Sequence, residues 1–198
     1  MSTADDAPLP PRDLAHRRLP IVETAGPWLR LHRAHHGPVF FGRTLENRFD
    51  DPRQELGVLY AAETLDGAFI ETFGRNPGLN TVSARQLSQR SLARLDVTRP
   101  LRLVDLTGPG LARLGTTAAM LAGRHRRAQV WSRALWSHPD RPDGILYRAR
   151  YDPSCICVAI FDRAEHLLRA QSLGDLVTPA NLILLSATLR RYDFSLRP

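Results

Sequence analysis

The stretch from Gly57 to Phe73, GVLYAAETLDGAFIETF, decides the reading of this chain. It reads as a short buried strand, Val58 to Ala62, then a tight turn, then a helix from Asp66 to Phe73. Leu65, Ala68, Phe69 and Phe73 form the apolar face of that helix, and Asn76, Pro77 and Gly78 stop it. Glu71 lies two residues from both Phe69 and Phe73, off the apolar stripe. Taken singly, Glu71 is a solvated helix glutamate and Tyr60 a strand tyrosine with its hydroxyl at the core edge. Paired on neighbouring elements, with arginines upstream, they form an aromatic platform and a carboxylate that could hold a nucleotide and act on its ribose.

Outward from this unit, Trp28 to Arg33 reads as a strand and residues 43–56 as a polar loop. Ser91 to Val97 and Leu101 to Leu106 read as two strands, followed by short helical turns near Pro109 and over Thr116 to Gly123. Arg126 to Ser137 is the best helix of the middle region. Ile145 to Tyr147 and Cys155 to Phe161 are strands, and Thr178 with Pro179 opens a last helix to about Arg191. Short strands and helices without strict alternation predict a single α+β domain with a mixed, largely antiparallel sheet. Residues 1–27 carry five of the fifteen prolines and no hydrophobic period, which predicts an extended, partly disordered arm before a domain over 28–198.

The 198 residues suit one core, and 43% hydrophobic with 24% charged residues is an ordinary globular composition. No apolar run reaches membrane-spanning length, and no positive-then-apolar leader pattern is seen. The two cysteines, Cys155 and Cys157, cannot frame a disulfide scaffold, so the expected compartment is a reducing cytoplasm. The net charge is +7 and all 27 basic residues are arginine. Such a surface suits an acidic protein, a nucleic acid or an anionic small molecule such as a dinucleotide. There is no glycine-rich phosphate loop, no Ser/His/Asp arrangement and no aromatic-interleaved basic patch.

Arg33 and Arg48 are candidate anion ligands, because the guanidinium fork grips a pyrophosphate at two points; alone, each could equally be a surface ion pair. The adjacent His35 and His36 point opposite ways on an extended chain and lack a third ligand, so no metal is expected. The two cysteines face one side of a strand as core residues. In the 126–137 helix, Ala128, Trp131 and Leu135 form the apolar face. Arg127 projects into that arc and would need an anion, unless the helix starts at Ala128 and leaves Arg127 in solvent.

These segments together resemble the RES-domain family, the toxin half of toxin–antitoxin pairs. The resemblance runs from Trp28 to Ala164. It rests on Arg33, on Arg48 in an Asn-Arg-Phe segment, on Gly-x-Leu-Tyr-x-Ala-Glu at Gly57 to Glu63, and on Glu71, eleven residues after Tyr60. It continues with Gln-x-Trp-x-x-Ala-Leu at Gln129 to Leu135 and Asp-Gly-Ile-x-Tyr-x-x-Arg at Asp143 to Arg150. The resemblance implies an ADP-ribosyltransferase-like fold and cleavage of the nicotinamide–ribose bond of NAD, as substrate and not cofactor, by hydrolysis or phosphorolysis. It implies Arg33 and Arg48 on the NAD phosphates, Tyr60 near the nicotinamide and Glu71 on the ribose. It also implies a helix-turn-helix antitoxin, through which alone the toxin would meet nucleic acid. The family's serine ahead of the Gln-x-x-Ala helix is absent here, where His125, Arg126 and Arg127 stand; a second serine position holds Ala149. Arg127 taking an anion-binding role is one consequence of that departure. A catalytically weakened nucleotide- or partner-binding module is another, and an arginine-driven nucleic-acid binder is the reading that charge alone allows.

Overall fold

The computed structural model describes residues 7–76 and 78–197. Its centre is an eight-stranded sheet built from β1 (Ile21–Thr24), β2 (Trp28–Arg33), β3 (Val58–Ala62), β5 (Arg90–Val97), β6 (Leu101–Asp105), β7 (Gly144–Arg148), β8 (Ile156–Phe161) and β9 (Leu168–Asp175). The spatial order is β1-β6-β7-β8-β3-β2-β5-β9. Every neighbouring pair is antiparallel except β6 with β7. Two further strands, β4 (Thr81–Ser83) and β10 (Ser195–Arg197), pair in parallel beside it. The helices are α1 (Leu65–Phe73), α2 (Ala84–Ser88), α3 (Gly110–Leu114), α4 (Ala119–Ala122), α5 (His125–Trp136) and α6 (Pro179–Arg191). The expected α+β domain with a mixed, largely antiparallel sheet is what the chain forms.

The central strands are buried on both faces because their side chains alternate between two cores. From β3 and β8, Val58, Ala62, Cys157, Ala159 and Phe161 enter one core with Trp131, Leu135 and Ala68. Leu59, Ala61, Val158 and Ile160 enter the other, with Trp28, Leu95 and Leu103. A third cluster lies under α6 and joins Phe69, Leu92, Leu176, Leu185 and Phe194. Thr64 caps α1 by accepting the Gly67 N–H at 3.1 Å. A Cβ at Gly67 would stand 3.0 Å from Ala62 Cβ and 3.2 Å from Cys155 Cβ, so glycine lets α1 settle close on the sheet. The helix ends at Phe73 with Gly74 as its cap, ahead of the expected Asn76–Gly78 stop, of which Pro77 lies outside the described residues.

The arm expected over 1–27 is corrected for residues 7–27; Met1 to Asp6 lie outside the described residues. Far from extending into solvent, this segment supplies β1, which pairs with β6 from Ile21↔Val104 to Thr24↔Leu101. Ala7, Leu14 and Leu19 are buried. Trp131 Nε1 donates to the Pro8 carbonyl at 2.7 Å, and His138 Nε2 lies 3.1 Å from the Leu14 and Arg17 carbonyls. Ile21–Thr24 lies between Pro20 and Pro27 and so is free to pair, while isolated apolar residues anchor the chain before it.

Candidate active site

A cavity of about 630 Å³ opens beside β2, β3 and α1, within the usual range for ligand pockets. Arg33, Arg48, Tyr60 and Glu71 all line it, so four of the five residues expected from sequence meet at one place. Arg127 is not among the lining residues, and α5 does not supply the cavity with an anion grip from its apolar arc. Arg127 is half-buried on α5. Helix α5 begins at His125, ahead of Arg127, and buries Ala128, Trp131 and Leu135 as expected.

What α5 does instead is hold the loop that carries Arg48. Gln129 Nε2 donates to the carbonyls of Leu45 (3.0 Å) and Asn47 (3.1 Å). The buried Ser132 hydroxyl donates to the Phe49 carbonyl at 2.7 Å, and Arg133 pairs with the buried Asp51 at 2.9 Å. These three side chains sit at i, i+3 and i+4, one helical face. Inside the loop, Asp50 accepts from Thr44 Oγ1 (2.9 Å), Asn47 N–H (3.0 Å), Asn47 Nδ2 (3.1 Å) and the Tyr60 hydroxyl (2.9 Å). The Arg48 guanidinium then donates to the Gly123 carbonyl at 2.9 Å. Partial burial and the nearby Arg150 pull its pKa down, with Glu71 opposing.

Tyr60 presents its ring to the cavity while its hydroxyl is fully engaged. It donates to Asp50 and accepts the Phe49 N–H at 2.9 Å. Burial, reinforced by Asp50, holds its pKa well above that of a free tyrosine. The hydroxyl is thus held by Asp50 and the Phe49 N–H, and the ring is the part of Tyr60 open to a ligand.

Glu71 is half-buried on α1 and aimed by one group on β7 and one just after it. The Arg150 N–H donates to Oε1 at 3.0 Å, and the Tyr147 hydroxyl stands 3.5 Å from Oε2, at the limit of hydrogen-bond reach. Tyr147 packs edge-on against Phe49, 5.0 Å between centroids, and burial raises its pKa well above normal. A carboxylate with fixed oxygens in an arginine-rich cavity is suited to stabilising positive charge at an adjacent atom.

Sequence reasoning missed much of the positive wall. Arg30, Arg75, Arg90 and Arg150 line the cavity with Arg33 and Arg48, six arginines against the carboxylates Glu46 and Glu71. Arg30 is the deepest: it donates to the carbonyls of Phe40 (2.9 Å) and Tyr60 (3.3 Å), and burial lowers its pKa to about 10. Arg33 is at the rim, more than half exposed, in a loose 3.9 Å pair with Glu46. Arg90 on β5 sits directly opposite Arg33 on β2. Like charges at opposed positions are unfavourable unless an anion compensates. The period of two does not put Arg30 on the same face of β2 as Arg33, so no sequence signal pointed to it, nor to Arg75 or Arg90.

Fold and cavity together define an α+β domain with an arginine-lined cavity beside one positioned carboxylate. Residues 27–180 match the model of the RES domain, and the chain belongs to the RES-domain family. It is 37% identical, over 97 residues, to "Probable toxin y4kH" of Sinorhizobium fredii (strain NBRC 101917 / NGR234), a match covering 48% of this chain and 76% of that protein. Among solved structures, it is similar to a chain of the M. tuberculosis MbcT–MbcA toxin–antitoxin complex, with a TM-score of 0.68 and 21% identity. That match covers 89% of this chain and 98% of the other, and it shows a shared fold.

Proposed function

We propose that this chain is the toxin of a toxin–antitoxin pair and that it degrades NAD at the nicotinamide–ribose bond. Family membership supports the toxin half of this reading, as do the similar proteins, one named a probable toxin and one from a toxin–antitoxin complex. The observation that carries the chemistry is Glu71, oriented by Arg150 and Tyr147 among six arginines. As the C1′–N bond breaks, its electron pair leaves with neutral nicotinamide and positive charge builds on the ribose. The Glu71 carboxylate stabilises that charge and orients the ribose hydroxyls. Arg30, Arg33 and Arg48 neutralise the diphosphate, and the Tyr60 ring flanks the nicotinamide.

The incoming nucleophile is water or inorganic phosphate. Following ADP-ribose and ADP-ribose 1″-phosphate while phosphate is varied separates a glycohydrolase from a phosphorylase. The partner in this reading is an acidic antitoxin of helix-turn-helix type that covers the cavity, to which the +7 charge would speed association. No described helix is long and apolar enough to cross a membrane. A binding module without turnover is the second reading, favoured by the missing serines: Ser132 is committed to the Phe49 carbonyl, and Ala149 is buried. Nicotinamide release from NAD, absent in a well-folded preparation, would select it.

A further inference from the structure

One wall of the cavity is made of rings that the chemistry at Glu71 does not use. Phe40 and His36 stack face to face, 3.8 Å between centroids and 5° between planes. His36 has a second ring neighbour in His35, at 4.2 Å and 54°. Both Phe40 and His36 line the cavity, yet Phe40 remains 40% exposed. Phe40 belongs to none of the three buried clusters, so its ring faces the cavity without packing in a core. Its backbone is held by the cavity itself: Arg30 donates to the Phe40 carbonyl at 2.9 Å, and His32 Nδ1 lies 2.9 Å from the His36 carbonyl. Desolvation, then His35, Arg33 and Arg30, lower the His36 pKa, which favours the uncharged ring in the stack.

A planar, sequence-tolerant stacking surface beside guanidinium groups is the combination that takes a nucleobase with its phosphates attached. We infer that the outer face of Phe40, backed by His36, is the base-stacking wall for the adenylate end of the substrate. This rests on the NAD reading and deepens it: the wall makes the enzyme select a dinucleotide over nicotinamide mononucleotide, which carries the same scissile bond. Phe40 touches the substrate away from the reacting atoms, so it governs binding and not the bond-breaking step.

The test is calorimetric binding of ADP-ribose and ribose 5-phosphate to wild type, Phe40→Ala and Phe40→Trp, with nicotinamide release from NAD and nicotinamide mononucleotide measured in parallel. Phe40→Ala should weaken ADP-ribose roughly 5- to 100-fold, the range for losing one base–aromatic stack. It should leave ribose 5-phosphate unchanged, raise KM for NAD similarly and leave kcat within about twofold. Phe40→Trp should restore ADP-ribose binding. Equal binding of ADP-ribose to wild type and Phe40→Ala, or no binding to wild type, would overturn the inference. Equal binding is also the outcome if Phe40 is exposed only to meet a protein partner. Absence of nicotinamide release with the ADP-ribose difference intact would sink the NAD-cleavage reading and leave the base wall standing.

Discussion

Asp50→Ala should be among the most damaging single changes in this chain, although Asp50 is fully buried and does not line the cavity. The carboxylate accepts four hydrogen bonds and joins the Arg48 loop to β3 through Tyr60. Thr44 is exposed, so water can replace its bond. The Tyr60 hydroxyl and the Asn47 N–H are less easily rescued. A hydrogen bond to a charged acceptor contributes about 1.5–3 kcal/mol, and leaving a buried donor unpaired costs its full desolvation. Two such losses amount to about 3–6 kcal/mol. In a chain of this size, roughly 2–4 °C per kcal/mol places the Tm fall at about 6–24 °C. Urea and thermal unfolding would measure it. Tyr60→Phe, which removes the hydroxyl alone, should cost about 1–3 kcal/mol, and the two changes should be clearly non-additive. A loss below 1 kcal/mol for Asp50→Ala, or full additivity, would refute the view of Asp50 as the tie between loop and sheet.

Other consequences concern separate parts of the molecule. Arg48→Ala should raise KM for NAD at least tenfold, while Arg127→Ala, outside the cavity wall, should change it less than twofold; steady-state kinetics on both variants decides this. Gln129→Leu should release the loop carbonyls of Leu45 and Asn47 and reduce NAD affinity without touching ligand, read as a raised Kd in calorimetry with the fold retained by circular dichroism. Asp152 is bonded by Ser154, Tyr192 and Cys155, which lower its pKa to about 2. Its folded pKa lies below its unfolded one, so the stability it adds is complete above about pH 4 and lost as pH falls toward 2. Asp152→Asn should therefore cost about 2 kcal/mol at pH 7, and the difference from wild type should vanish in unfolding curves near pH 2.

The sequence was most legible where local pattern and tertiary role coincide. Val58 to Ala62 and Leu65 to Phe73 are a strand and a capped helix in their own right, and the sheet confirms both. β9 escaped notice because Arg169 to Leu173 are all exposed, so no buried face imposes a period of two. β4 and β10 are three residues each, below what a pattern can register. β1 was hidden among prolines. At the site, Tyr60 and Glu71 were found through their spacing, but their partners lie far along the chain: Asp50 for Tyr60, and Tyr147 and Arg150 for Glu71. The 43–56 loop looked uninformative because its order comes from buried carboxylates and from α5, neither of which leaves a periodic trace.

The central claim is that Glu71 drives cleavage of NAD in this cavity. Nicotinamide release by wild type and Glu71→Gln, each shown folded by thermal unfolding, tests it most directly. Wild type should release nicotinamide steadily, and kcat should fall at least about 100-fold in Glu71→Gln, since the amide keeps the shape but loses the charge that faces the ribose. Release that persists undiminished in Glu71→Gln would contradict it.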